Sequence, residues 1–332
     1  MLIDIQTVYL HDSKASGSHT VGMAQILRLR GPNQIYGARG WSLFRLSHHR
    51  IVRIPSLLSF PLSPSLCMKM LMETIQQKQQ LISKLSLLPE SDAWLDSLND
   101  EMTEIRIEKD NHKISKVCAR GRELLQALGD GGASAEEFLD MVKEMHDLDQ
   151  ATTTWRAGPD WVFKTIHRSE IIHGEEAALF FPEFVQLHRD VWIAYEWNYH
   201  RTARILLHEN LLSCLDKLEA LCSETQDPLP VDSVSLRETS ISTIQFLIDE
   251  VISTVPQMLG DIDHEGNIMN EELAAKICRG IGGYFLLWPI RVSKSSRYAM
   301  EDQTTTSQAV FDRIRECTGM KSALGEASAV GR

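Results

Sequence analysis

The chain is short of the residues that usually advertise chemistry. Its six cysteines, at positions 67, 118, 214, 222, 278 and 317, fall at long and irregular spacings, and no C-x-x-C occurs. That excludes a recognisable disulfide framework and a structural zinc site. It also suits a reducing compartment, nucleus or cytosol. Basic residues are outnumbered, 34 Lys and Arg against 45 Asp and Glu, for a net charge of −11. Proteins grip DNA largely through Lys and Arg on phosphates, so direct nucleic-acid binding is not expected. Arg28, Arg30, Arg39, Arg45 and Arg50 do gather near the start, but solvated helix faces produce such groups routinely. No apolar run reaches bilayer length: the most apolar late stretch, Ile281 to Ile290, has ten residues, so no membrane partner is expected. The opening MLIDIQTVYL has no basic region and does not read as a signal peptide.

Catalytic patterns are missing too. There is no G-x-S-x-G elbow, no P-loop and no D-D-x-x-D. Gly129-Asp130-Gly131-Gly132 is glycine-rich, but no strand precedes it to present the loop to phosphates. His167 and His173, with Glu175 and Glu176 nearby, suggest a metal at first sight. A spacing of six, however, does not bring two imidazoles to one helix face, as H-E-x-x-H does. Without a paired acid and base, the chain is not read as an enzyme and no cofactor is expected; the alternative is a helical enzyme whose site carries no recognisable motif.

What the sequence does contain is helical periodicity. Ser134-Ala135-Glu136-Glu137 has the form of a capping box, a hydroxyl and a carboxylate each satisfying an orphan backbone N–H. Phe138, Met141, Val142, Met145 and Leu148 follow at three- and four-residue steps. A long unbroken pattern runs from Glu183 to about Cys222 and stops before Pro228 and Pro230. Ile241, Ile244, Ile248, Val251, Ile252 and Val255 predict another helix, interrupted at Pro256. Glu271 to Trp288 reads as a further one, weakened by Gly280, Gly282 and Gly283 unless a neighbour packs closely there. No convincing alternating strands are found. The fold class expected is all-α, an irregular multi-helix bundle of about ten helices. Residues 129–135 read as a flexible joint, and 321–332 as a disordered tail.

Residues 52–74 stand apart, with three prolines, four serines and no helical period. Without them the chain reads LFRLSHHR-I-IQQKQQLISKL, one continuous helix. The codons for Val52-Arg53-Ile54 can spell a splice donor, Met70-Leu71-Met72 a branch point, and Glu73-Thr74 can end beside an acceptor. Two readings stand side by side: a translated intron, or a Pro/Ser-rich surface loop.

One isolated motif has metal-ligand spacing. Asp261-Ile262-Asp263-His264-Glu265-Gly266-Asn267-Ile268-Met269-Asn270-Glu271-Glu272 matches a calcium-binding EF-hand loop at several positions. Asp261, Asp263 and Glu265 stand at positions 1, 3 and 5, Gly266 at the sharp turn, Asn267 at 7 and Glu272 at 12. Against this, Met269 offers no side-chain oxygen, Glu265 replaces a shorter acid, Pro256 and Gly260 disturb the incoming helix, and there is no second copy. A polar helix–helix loop is preferred, and no metal is favoured.

An ordered series of segments does point to a family. His19-Thr20-Val21-Gly22-Met23-Ala24-Gln25-Ile26-Leu27-Arg28-Leu29-Arg30-Gly31-Pro32 resembles H-x-x-G-x-x-x-L-L-x-x-R-G-P, a signature in the regulatory domain of fungal binuclear zinc-cluster transcription factors. Arg39-Gly40-Trp41-Ser42-Leu43-Phe44-Arg45, ending at Arg50, resembles their R-G-x-x-L-F-R segment. The run from Trp192 to Arg201 resembles their W-x-x-Y-x-W-N-x-x-R helix, Val255-Pro256-Gln257-Met258-Leu259 their V-P-x-x-L helix end, and Gly282 to Pro289 their G-G-Y-x-L-L-W-P segment. The resemblance covers nearly the whole chain apart from 52–74 and the tail. It implies one helical regulatory domain over 1–320, action in the nucleus (alternatively the cytoplasm) through other transcription regulators, and a link to secondary-metabolite gene clusters. The six-cysteine zinc module of the family is missing, and its first regulatory signature already appears at residue 19. The resemblance therefore implies an N-terminally truncated relative without its own DNA-binding residues. On this reading Trp192, Trp197, Tyr199 and Trp288 are core aromatics. Arg201 and Arg204 pair with acids such as Glu196, or run along a solvated face.

Overall fold

The computed structural model describes residues 25–31, 33, 36, 40, 41, 44, 89–98, 102–127, 133–154, 157–171, 181–225, 231–269 and 280–318. The segment 52–74, the glycines at 129, 131 and 132, and the tail beyond residue 320 lie outside them. The fold is all-α, with one small two-stranded sheet. Eight α-helices stand among the described residues. The chain forms two compact units, residues 1–112 with 321–332, and residues 113–320.

In the first unit, residues 25–30 are helical, and the helix ends at Gly31, whose N–H bonds back to the Leu27 and Arg28 carbonyls. Leu27 meets Phe44, Trp94 and Leu95 in a small core. Trp41 stacks on Phe44 at 5.8 Å between ring centroids, and Phe44 lies 6.2 Å from Trp94. Trp94 and Leu95 come from helix α1 (Pro89–Asp96). Helix α2 (Thr103–Gln126) begins in this unit and ends in the second.

The second unit is built around one long helix. α3 (Ala135–Thr153) starts at the expected capping box: Ser134 Oγ accepts from the Glu137 N–H at 3.2 Å, and Glu137 accepts from the Ser134 N–H at 2.8 Å. α4 (Val191–Thr225) follows, then α5 (Ser233–Ile252), whose N-cap Asp232 accepts from the Ser235 N–H. The short α6 (Val255–Leu259) carries Pro256 in its first turn, where a missing N–H costs nothing. α7 (Gly280–Ser295) and α8 (Glu301–Thr318) complete the unit. α3 and α5 pack along α4, α7 also packs against it, and α8 lies on α7. The main core gathers Ile114, Val117 and Cys118 of α2, Phe138, Val142 and Met145 of α3, and Leu207, Leu211 and Leu215 of α4. Burial pushes the Cys118 thiol up to about 11 and the Cys214 thiol up to about 12, so both stay protonated packing groups.

Two sequence readings are corrected here. The unbroken helical pattern from Glu183 starts instead as a strand. β2 (Phe184–Leu187) pairs antiparallel with β1 (Lys164–His167), and α4 begins only at Val191. The physical reason is period: Val185 and Leu187 point to one face with Ile166, and bury it against Ile171 and Ile262. A strand of four residues is too short to stand out from a helical background. The second correction concerns Arg201 and Arg204, which lie in the interior of the unit, as described below. Among the described residues, no helix is long and apolar enough to cross a membrane.

Candidate functional site

The EF-hand-like loop folds as a tight, self-satisfied turn. Ile262 and Ile268 form an isolated antiparallel bridge, and the Asp261 carbonyl accepts from the Met269 N–H. Asp263 caps the turn: one carboxylate oxygen accepts from the Glu265 and Asn267 N–H groups at 2.9 Å each, and the other from Asn267 Nδ2 at 3.0 Å. The Asn267 side chain and these backbone donors hold the Asp263 carboxyl below its ordinary value. Gly266 takes φ +93, as the turn demands, and a Cβ there would press on Ile166 and Leu187 of the hairpin. Asp261 is turned the other way. Its buried carboxylate receives Arg313 of α8 at 2.8 and 2.5 Å, a two-pronged pair across 52 residues. The exposed Glu265 side chain reaches back to Asn267 and His264. Glu272 lies outside the described residues. Of the calcium candidates, then, Asp263, Glu265 and Asn267 are brought together, while Asp261 is taken up by a guanidinium. Among the described residues no three His, Cys, Asp or Glu side chains are grouped so as to hold a metal ion.

The denser polar constellation lies along α4, where Glu196, Asn198, His200, Arg201, Thr202, His208 and Asn210 are all buried. A helix surrounded by neighbours cannot keep a solvated face, so each polar group must find a partner inside. Thr202 and Asn210 bond back to their own helix, to the Asn198 and Leu206 carbonyls. Arg201 gathers a network from three elements. It donates to Asn198 Oδ1 at 2.9 Å, to Gln186 Oε1 of β2 at 2.7 Å and to Glu250 Oε2 of α5 at 2.9 Å. Its guanidinium also sits 5.3 Å from the Phe163 ring centroid and 6.0 Å from Trp197. Burial lowers its pKa to about 10 despite Glu250, which still leaves it charged. Asn198 in turn donates to Thr254 Oγ1 and to Met258 Sδ. Gln257 of α6 clamps the His188 backbone from both sides, accepting from its N–H at 2.8 Å and donating to its carbonyl at 2.6 Å. Burial, aided by Arg201, keeps His188 neutral far below its ordinary range.

A second cluster lies one turn along. Asp149 of α3 receives Arg204 through two donors, at 2.8 and 3.2 Å, and faces His208 Nε2 at 3.2 Å. Burial alone would raise the Asp149 carboxyl, but His208 and Arg204 hold it well below the usual carboxylate range. His200, fully buried, is pushed down to about 3 by burial, with the Arg204 charge in support. The partner of Arg201 is thus Glu250 and that of Arg204 is Asp149. Glu196, the acid expected from local spacing, is neither. Position along a helix reports neighbours one turn away, whereas these partners stand 49 and 55 residues away.

Three segments singled out in the sequence meet here. Met258, from the V-P-x-x-L segment, touches Asn198 from the tryptophan-rich helix and Gly282 from the G-G-Y segment. A Cβ built on Gly282 would stand 1.7 Å from the Met258 carbonyl oxygen. Phe285 stacks on Tyr195 at 4.4 Å and meets Trp192 edge-on at 5.6 Å. Tyr199 and Trp288 are buried, as expected of core aromatics, whereas Trp192 and Trp197 are half-buried. Trp197 donates its indole N–H to the Trp161 carbonyl. His167 caps a short 3-10 turn at the chain surface, while His173, Glu175 and Glu176 lie outside the described residues. Gln186, His188, Glu250 and Asp149 escaped sequence reading, because the pairing of distant polar residues leaves no local pattern. Compared with protein-family models, with curated proteins and with solved structures, the chain matches none.

Proposed function

We propose that the chain is a non-catalytic regulator of transcription of the fungal zinc-cluster type, working in the nucleus through partner proteins rather than through its own contacts with DNA. One observation carries the reading. The five segments that resemble that family's regulatory domain are brought together within each unit. Leu27 and Phe44 share one core, and the segments at 192–201, 255–259 and 282–289 interlock around Met258. Scattered accidental matches have no reason to become neighbours, whereas segments that jointly define a fold must. The chemistry of the interior suits a scaffold. Arg201, Arg204 and Arg313 are each matched with a carboxylate from another element, an arrangement that fixes helix positions. The net negative charge of the chain favours action through partners over a grip on phosphates. Deleting the gene and sequencing RNA from the deletion strain tests the proposal. A coordinated change in a limited gene set is expected, with the tagged protein in the nucleus; an unaltered transcriptome refutes it.

A further inference from the structure

The turn after β1 brings a hydroxyl, an imidazole and a carboxylate together at the surface of the second unit. β1 ends at His167, which stands opposite Phe184 in the hairpin. The chain then bends through a 3-10 turn, Arg168–Glu170. Several contacts hold the imidazole in place. The Ser169 N–H donates to His167 Nδ1 at 3.2 Å, and the Glu170 carboxylate accepts from the His167 N–H at 3.1 Å. The Phe184 ring meets the imidazole edge-on at 5.6 Å between centroids. The Arg168 N–H donates to the Glu183 carbonyl at 2.9 Å, which fixes the backbone of Glu183 beside the turn.

These contacts decide which ring nitrogen carries the proton. A backbone N–H can only donate, so in the neutral ring Nδ1 holds the lone pair and Nε2 the hydrogen. Ser169 Oγ lies 2.7 Å from the same Nδ1. The hydroxyl is therefore the donor, and the imidazole stands where a general base must stand to take its proton. On the other side of the ring, Nε2 faces Glu183 Oε1 at 3.9 Å. That is longer than a hydrogen bond, yet close enough to favour the positive charge a ring acquires with a second proton. A hydroxyl, a base and a group supporting the base, in that order, is the arrangement that activates a serine. Ser169 is exposed, and the His167 and Glu183 side chains are 42% and 69% exposed, so the hydroxyl is open to a reagent.

We propose that Ser169 is an acyl-accepting serine that takes its acyl group from an activated ester, with His167 as its base and Glu183 as a positioning residue. Ser169 Oγ forms a bond to the ester carbonyl carbon while its proton passes to His167 Nδ1. The alcohol oxygen leaves with the electron pair of the broken C–O bond, and the imidazolium gives the proton up to it or to water. The product is a single acyl-serine, a modification of the chain and not a turnover. The proposal is independent of the regulatory reading above, and neither result bears on the other.

The test treats the full chain with p-nitrophenyl acetate, follows nitrophenolate release by absorbance, and locates the acetyl group by peptide mass spectrometry. Acetyl is expected on Ser169, and none there in Ser169→Ala. His167→Gln should slow acetylation of Ser169 about a hundredfold, the worth of a positioned general base. The wild-type rate should rise between pH 5 and pH 8, where imidazole gives up its proton, with the Glu183 and Glu170 carboxylates and the exposed Arg168 as the charged neighbours. Glu183→Gln should slow the reaction about twofold to fivefold, as an exposed charge pair allows. That difference should fade in salt, which a merely structural role would not do. Should His167→Gln fail to melt cooperatively, Ser169→Ala and the wild-type pH profile still decide. The proposal is overturned if the acetyl group lies on His167 or on lysines but not on Ser169. A rate at Ser169 that is flat with pH, or unchanged in a folded His167→Gln, overturns it as well.

Discussion

Adding one methyl group at Gly282 should separate two helices, whereas the same change two residues earlier should strengthen one of them. The Cβ of Gly282→Ala would stand 1.7 Å from the Met258 carbonyl oxygen, 2.7 Å from its carbonyl carbon and 3.4 Å from its Cα. All three are backbone atoms of α6, so no side-chain rotation relieves the clash. α6 and α7 must part by more than an ångström, which opens the contact that also holds Asn198 against Met258. Forced overpacking of a core typically costs about 1–3 kcal/mol or more, against about 1 kcal/mol regained from better helix propensity. A net loss of about 2 kcal/mol is expected, or some 4–8 °C in Tm for a unit of this size. Gly280 begins the same helix, and nothing lies within 4 Å of its added Cβ. Gly280→Ala should therefore stabilise by about 0.5–1 kcal/mol. Urea unfolding followed by circular dichroism at 222 nm reads both variants on one scale. The packing argument fails if Gly282→Ala is as stable as the wild type, or if the two substitutions shift the midpoint in the same direction.

Three other outcomes follow from the buried polar groups. Arg201→Met should cost about 3–5 kcal/mol, because Glu250, Gln186 and Asn198 lose their shared donor; Arg201→Met combined with Glu250→Met should recover part of that loss. Equal stability of the single variant in chemical denaturation would remove the network as a fastening. For pH, His200 is pushed down to about 3 from an ordinary 6.5. Above pH 6.5 both folded and unfolded chains hold it neutral. Below that only the unfolded chain takes up the proton, so stability should fall by about 2 kcal/mol between pH 6.5 and 5. His188 adds to the loss in the same direction. Urea midpoints that stay flat from pH 7.5 to 5 contradict this, and His200→Gln should shallow the slope. At the EF-hand-like loop, calcium has to displace Arg313 from Asp261, so calorimetric titration of the wild-type chain is expected to give no heat of binding. A saturating calcium isotherm, lost in Asp263→Asn, would reverse that expectation.

The parts of this protein that depend on residues close together in the chain were legible from the sequence. The capping box at Ser134–Glu137 needs only four consecutive residues, and it is formed as read. The helices themselves follow from apolar residues recurring at three- and four-residue steps, and so does the all-α class. The sharp turn at Gly266 follows from its own local chemistry. Contacts between distant residues were not legible. The hairpin joins segments separated by sixteen residues, and each strand alone is too short to show its period. Asp261 looked like a calcium ligand because its neighbours have that spacing; what claims it is an arginine 52 residues away. Arg201 and Arg204 suggested local partners for the same reason, and packing gave them others. The demand that Gly282 be glycine is invisible in its own helix, where alanine would be the better residue, and arises only from the Met258 backbone pressed against it. Sequence determined which stretches coil and which residues want burial. Tertiary structure decided which buried charge meets which, because a partner is chosen by distance in space, which the order of residues does not reveal.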